Sequence, residues 1–447
     1  MRPSAFLAAL TLYSATPALA QPAAADAPVL GLRDAIGLAL QYAFPSRIAG
    51  FREAGAAARV GEARVAFLPD FSASLSRSAS ERELNPDYIG TIPRHSDSLQ
   101  GDLSASYILL NTTRRLDLMA AKVQKQGLAA TTDDAKRAVI RDTARTYLLV
   151  VQADALLRLA EQDLMRRTRH VEETKALVRG GKRADYEILR AEAELATSEA
   201  SAVEARNGAR IARATLAQVV GKELPIGFAT ETPAPPADPR SGKRGPEAAR
   251  SIVPDSLARR PDLRAAGADA EVARLAFVKA ERRYLPTLSV FARYNTVFDR
   301  YAPPGAGADF ESPYDSSFSW GGQLEVRFSD MLANRYRGQA SRAEVRLARV
   351  IEDQSRVAAS LEIERASLEL DRATEVSAAT AKSLDATRRN YESTSERYRL
   401  GVATQTERVD AEAALVEAEV NAAKSDVGYR IAIWNLRYEM GESLDAQ

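Results

Sequence analysis

The sequence predicts a mainly α-helical protein with a membrane-type β portion. It is built as two structural repeats of helix, β-hairpin, long helix and return helix. Three observations predict this fold class. The hydrophobic period switches from helical to alternating and back, twice, at matching places in the chain. Each return to the helical period opens a run of roughly 65 residues, on the order of 100 Å at ~1.5 Å per residue. The two halves also align with few insertions. Phe67-Leu68-Pro69 matches Tyr284-Leu285-Pro286 at an offset of 217. Gly181, Glu187, Ala191, Glu192, Ala193, Leu195, Leu216, Gly221 and Leu224 match Gly401, Glu407, Ala411, Glu412, Ala413, Leu415, Leu436, Gly441 and Leu444 at an offset of 220.

Composition narrows the function classes. The 447 residues carry a formal net charge of +1, which gives no reason to expect nucleic acid as a partner. The absence of cysteine removes disulfides, thiolate catalysis, thiolate metal sites and an N-terminal lipidation cysteine. Two histidines, His95 in a predicted loop and His170 in a predicted long helix, argue against a metal or acid–base site. No glycine-rich phosphate loop follows a strand and no catalytic constellation stands out, so neither an enzyme nor a cofactor is expected. Residues 1–20 read as a secretory signal: Arg2, an apolar core from Ala5 to Tyr13, and Ala18-Leu19-Ala20 as the cleavage site. Beyond it there is no apolar run of transmembrane-helix length. An exported chain of this kind is soluble, peripheral or a β-barrel.

Repeat 1 covers 21–224. After a leader, 21–30, a helical pattern runs from Leu32 to Phe67 and is broken or restarted at Pro45. Strands follow at about 68–79 and 99–110. In the first, Phe71, Ala73 and Leu75 alternate with serines; in the second, Gly101, Leu103, Ala105, Tyr107 and Leu109 alternate with polar residues. A tilted membrane strand and a half-buried hairpin of a soluble domain both fit this pattern. The long helix of about 113–179 carries a stripe of Ile140, Ala144, Tyr147, Val151 and Ala155, interrupted only by Gly127, and its stripe needs lateral partners. Gly180-Gly181 ends it, and a return helix covers about 184–220. The Pro- and Gly-rich stretch 225–250 reads as the linker between repeats. Repeat 2, 251–447, restarts with Pro254 and Pro261 near first-turn positions. Its strands are expected at about 285–298 and 318–329, its long helix at about 332–399 and its return helix at about 404–440. Here the apolar face carries Tyr294, Trp320 and Phe328 while the opposite face carries charge, which fits lipid outside and water inside better than a soluble sheet.

Four strands per chain cannot close a membrane barrel, so the barrel is shared: eight strands from two copies or twelve from three. At this point Arg259-Arg260-Pro261-Asp262-Leu263, Tyr284-Leu285-Pro286, the tip Tyr398-Arg399-Leu400-Gly401 and the acids Glu407 and Asp410, in this order and with the duplication, make the chain resemble the TolC family of outer-membrane channel-tunnels. The resemblance covers essentially the whole mature chain. It implies a homotrimer with a shared 12-stranded β-barrel in outer-membrane lipid, standing on a long α-helical barrel that crosses the periplasm. It implies a passive gated duct in tripartite export, partnered by a periplasmic membrane-fusion adaptor and an inner-membrane transporter of RND or ABC type, for efflux or for type I secretion. A periplasmic coiled-coil adaptor or scaffold is the alternative: it would explain the long helices but not strands placed identically in two repeats.

The resemblance also assigns residues. Glu407 and Asp410, three apart on one helix face, would ring the periplasmic aperture, although acids here also simply suit a helix N-terminus. Tyr398 and Glu187 match positions that link neighbouring tips in the closed state; plain helix packing is the other reading of Tyr398. The tip residues Gly180, Gly181, Lys182 and Arg183, with Leu400, Gly401, Val402, Ala403 and Thr404, would contact the adaptor. Tyr107, Tyr294, Trp320 and Phe328 would face lipid. The chain departs from the family at Ala403, where a basic locking residue is expected; Arg399, Arg408 or Arg183 would have to replace it.

Overall fold

The computed structural model describes residues 29–81, 95–181, 184–225, 228–240, 245–301, 314–326, 328–442 and 444. The expected signal, 1–20, lies outside them. The elements, in order, are β1 (Val29–Leu30), α1 (Leu32–Tyr42), α2 (Phe44–Val65), β2 (Asp70–Glu81), β3 (His95–Leu110), α3 (Thr112–Arg179), α4 (Tyr186–Val220), β4 (Ala229–Thr230), α5 (Pro246–Arg259), α6 (Pro261–Arg282), β5 (Thr287–Tyr301), β6 (Tyr314–Glu325), α7 (Phe328–Arg399) and α8 (Gln405–Glu439). The molecule is mainly α with one membrane-type sheet, as its periodicity predicts.

Two rods organise the helices. α3 is 68 residues long and α7 is 72, each about 100 Å at ~1.5 Å per residue. In the half nearer the large sheet the packing order is α2-α3-α6-α7; in the other half it is α4-α3-α8-α7. α4 and α2 meet end to end, as do α8 and α6. Gly221 and Gly441 make those junctions: a Cβ on Gly221 would lie 2.7 Å from the Tyr42 carbonyl oxygen, and one on Gly441 2.9 Å from Arg259 Cβ. Gly127 does not break α3. It is buried against α6, where a Cβ would sit 2.9 Å from Ala268 Cβ.

The core lies at mid-length. Tyr147, Val150, Leu216, Val220 and Phe228 pack with α1 on one side; Leu370, Ile433 and Leu436 pack on the other. The Tyr147 hydroxyl, on a fully buried side chain, has the Leu30 and Glu231 carbonyls at 2.7 and 2.8 Å as acceptors for its single proton and accepts from the Glu231 amide at 3.1 Å, fastening the parallel pair β1–β4 to α3. The described residues 228–240 of the linker are therefore anchored to the helices. Arg240, with no exposed side-chain surface, ion-pairs with Asp238 and Asp371. α5 begins at Pro246, so Pro254 falls inside that helix and not in a first turn.

The large sheet has the order β2-β3-β5-β6, every neighbour antiparallel. Its register gathers the apolar residues on one face. The row Phe71–Ala105–Ala292–Trp320 is followed by Ala73–Leu103–Tyr294–Phe318, and Leu99–Phe298–Tyr314 lies farther from the helices. The other face carries rows such as Ser72–Ser104–Arg293–Ser319 and Ser74–Asp102–Asn295–Ser317. The strands run longer than the hydrophobic alternation because polar residues such as Asp315 and Ser316 pair as well as apolar ones. At the helix end the reverse holds. Phe328 is not a strand residue; it opens α7. β6 ends at Glu325 because its partner β5 starts at Thr287, after Pro286, which has no N–H to continue the ladder.

Candidate functional site

The end of the molecule remote from the sheet is formed by two hairpin tips. In the second, α7 stops because Gly401 adopts φ 76°. The turned-back amides of Gly401 and Val402 donate to the Tyr398 and Arg397 carbonyls at 3.0 and 2.8 Å, a Schellman closure of the helix end. α8 starts at once on a capping box: Thr404 Oγ1 accepts from the Glu407 amide at 3.2 Å, and Glu407 Oε2 accepts from the Thr404 amide at 2.7 Å. The first tip closes with Gly181 at φ 69° and its amide on the Val178 carbonyl at 2.9 Å.

The predicted site residues fall as follows. Glu407 and Asp410 are both exposed, three apart on α8. The Thr404 amide, and secondarily its hydroxyl, hold the Glu407 carboxyl below its ordinary range, so it is ionised at neutral pH. Tyr398 is half-buried with the Arg408 guanidinium 5.1 Å from its ring centre. Arg408 also reaches Glu173 at 3.8 Å. Glu187 is buried in the first turn of α4, at the opposite end of the α4-α3-α8-α7 order from Tyr398. Leu400 and Val402 are 74% and 68% exposed. Ala403, expected on the contact surface, is buried instead, because the Schellman turn folds its amide back onto the Arg397 carbonyl. Lys182 and Arg183 lie outside the described residues. Tyr107, Tyr294 and Trp320 share the apolar face of the sheet.

Sequence reasoning missed the contacts that hold α8 to α3. Gln405, buried at the first position of α8, meets His170 Nε2 on α3 at 3.2 Å. Burial, then Arg408 and Arg167, push the His170 pKa down to about 4, so its ring is neutral at pH 7. Two turns further along α8, Glu412 is buried and faces Arg166 at 3.5 Å and Arg167 at 3.6 Å; Arg167 also pairs with Glu194 of α4 at 3.0 Å. One polar cluster thus joins α4, α3 and α8. The adjacent arginines at 166 and 167 were its only sequence signal. A second cluster stands at the α8–α6 junction, where Arg260 donates to Asp262, Glu362 and Glu439. Burial alone would lower this guanidinium's pKa; the three carboxylates outweigh it and hold it raised. Among the described residues no group of carboxylates and histidines could hold a metal ion, and no helix is long and apolar enough to cross a membrane.

An amphipathic four-stranded sheet continued by 100 Å rods has a ready counterpart. The profile of the outer membrane efflux proteins matches residues 37–222 and 252–442, both repeats almost completely. The chain belongs to the outer membrane efflux protein family. Protein CyaE of Bordetella pertussis is 27% identical over 340 residues, spanning 75% of this chain and 68% of its own length. Among solved structures, the CmeC outer membrane channel of Campylobacter jejuni superposes with a TM-score of 0.77 at 18% identity, over 93% of this chain and 87% of its own. The outer-membrane channel OprN gives 0.75 at 20% identity, over 92% and 90%. The resemblance drawn from the tip and junction residues holds, and the protein is an outer membrane efflux protein. Efflux family proteins are transport proteins, form trimers, and act in tripartite systems with an adaptor and an inner-membrane transporter.

Proposed function

We propose that three copies of this chain close head to tail into a twelve-stranded barrel continued by a helical tube. The assembly is a passive gated duct that takes cargo from a periplasmic adaptor and an RND- or ABC-type transporter. The observation that carries this reading is the pair of open edges. β2 and β6 each leave one side unpaired, and backbone groups facing lipid must be paired. β6 leads into α7, which exposes Tyr336, Leu347, Val350 and Val357. α2, which leads into β2, exposes Phe44, Ile48, Phe51 and Val65. A head-to-tail ring covers both stripes and pairs both edges together. The apolar face from Leu288 to Phe298 spans about 33 Å along the strand at ~3.3 Å per residue; at a tilt of ~40° this is about 25 Å of bilayer, with Tyr107, Tyr294 and Trp320 toward lipid.

At the other end, Glu407 and Asp410 form two stacked threefold rings of carboxylate that attract cations to the mouth. Arg408, held between Tyr398 and Glu173, takes the place of the basic residue missing at Ala403, and Tyr398 and Glu187 serve as the tip links. Gly180, Gly181, Lys182, Arg183, Leu400, Gly401, Val402 and Thr404 form the adaptor contact, with Leu400 and Val402 as its apolar points. Planar-bilayer recording tests the duct and the mouth together. The wild-type protein should conduct with a preference for cations and be blocked by divalent ions. Replacing Glu407 and Asp410 by alanine should raise conductance and weaken the block. No conductance from the intact protein would sink the duct, whereas unchanged block in the variant would remove both acids from the constriction.

A further inference from the structure

The foot of the sheet carries a charge the rest of the chain does not. The four helix ends that approach it are residues 61–67, 112–122, 279–285 and 328–338. They hold nine Lys or Arg (Arg64, Arg114, Arg115, Lys122, Lys279, Arg282, Arg283, Arg335 and Arg337) against four Asp or Glu, in a chain whose net charge is +1. Adding Asp70 and Glu325 at the strand ends leaves the cations ahead nine to six. Two of the acids are already engaged: Asp117 with Lys279 at 2.5 Å, and Glu281 with Arg342 at 3.9 Å. Arg115, Lys122, Arg282 and Arg335 are exposed and have no carboxylate partner among the described residues. Pairing across a subunit boundary cannot neutralise the excess, since every copy in a ring brings the same surplus.

This basic collar borders an apolar groove. Arg115, Met119 and Lys122 recur at helical spacing on one face of α3. With Leu118 and with Phe67 from the end of α2 they line a groove of about 310 Å³. Its floor is apolar, Met119 being 50% exposed, and its two ends are cationic. It lies at the sheet end of α2 and α3, beside the exposed Val65 and Leu68 in the chain. Cations at the edge of an apolar band, with an apolar slot between them, match an acyl chain and an anionic head group.

We propose that this collar binds anionic phospholipid in the periplasmic leaflet of the outer membrane, with phosphate on Arg115, Lys122, Arg282 and Arg335 and acyl chain in the Phe67–Met119 groove. The inference rests on the barrel reading, which places this level of the molecule at the membrane surface. Each copy in the ring would hold such lipids, tying the height of the tube to the membrane plane.

The test is lipid binding to the intact detergent-purified assembly. Phosphatidylglycerol and phosphatidylcholine of equal chain length are titrated in turn, and bound lipid per assembly is counted by native mass spectrometry. The wild type should prefer phosphatidylglycerol. The variants R115Q/K122Q and R282Q/R335Q should lose roughly fivefold in that preference per charge removed, while R372Q/R389Q, exposed far along α7, should keep it. Equal binding of the two lipids by the wild type overturns the proposal, as does an undiminished preference in both collar variants. A changed ion selectivity of the channel with the lipid preference intact would place these charges in the lumen and also overturn it. Should a collar variant fail to assemble, the wild-type preference must still fall as salt rises from about 50 to about 500 mM. The barrel reading is judged separately, by conductance.

Discussion

At the α3–α4 tip the chain enters α4 with Asp185 in a helical conformation and no side-chain cap, and backbone bonds such as Glu187 amide to Ala184 carbonyl at 3.1 Å close its opening turn. At the α7–α8 tip, 220 residues later, the same position in the repeat carries the Thr404–Glu407 capping box and a buried Gln405 set against α3. Two copies of one plan have diverged in how their return helices start. Both hairpins stand at an end of the α4-α3-α8-α7 order and touch each other through α3 and α8. At the second tip, local capping and the α3–α8 contacts together fix where α8 begins.

Substitutions can separate these contributions. The largest effect is expected from Glu412→Ala, which leaves Arg166 and Arg167 facing each other without their shared buried carboxylate. About 3 kcal/mol should be lost, seen as a lower midpoint in thermal or urea unfolding; a change within error would mean that Asp163, Glu194 and Glu419 suffice. Gly401→Ala forces a side chain into the left-handed region, costing ~1–2 kcal/mol and speeding limited proteolysis at the second tip. Thr404→Ala should cost about 1 kcal/mol by removing the capping box, whereas Asp185→Ala should cost only a few tenths. Equal losses at the two sites would erase the asymmetry. The smallest effect concerns pH. His170 titrates near 6.5 when unfolded and about 4 when folded, so the unfolded chain binds its proton first. Its burial therefore favours folding in full above about pH 6.5, and this contribution declines as pH falls toward 4. Hydrogen exchange at the start of α8 should quicken over that window in the wild type, and the slope should flatten in His170→Gln.

The sequence made the architecture legible because its periods are clean. Serines alternating with Phe71, Ala73 and Leu75 can form only a strand with two unlike faces, and an offset repeated from Phe67 to Leu444 can arise only from duplication. The ends of elements were less legible, since they depend on partners: the alternation through Val326 to Phe328 looks like strand, but Pro286 leaves it nothing to pair with. The acids proposed for the mouth, Glu407 and Asp410, are located by counting from Gly401. The α3–α8 cluster could not, because Glu412 and Arg166 lie 246 positions apart and each looks like ordinary helix-surface charge until the two helices are packed. The burial of Ala403 was hidden for a similar reason: the turn that folds its amide back onto the Arg397 carbonyl is set by Gly401.

The central seam of the large sheet joins β3 of one repeat to β5 of the other, over most of their length. Neither half-chain owns a finished stretch of wall, so a half-length ancestor would need six identical copies for the same circumference. Fusion lowers that to three and relaxes the symmetry from sixfold to threefold. Alternate positions around the rim then become free to evolve apart. An uncapped helix start and a capped one can follow each other around the proposed ring only because the two are no longer encoded by the same codons.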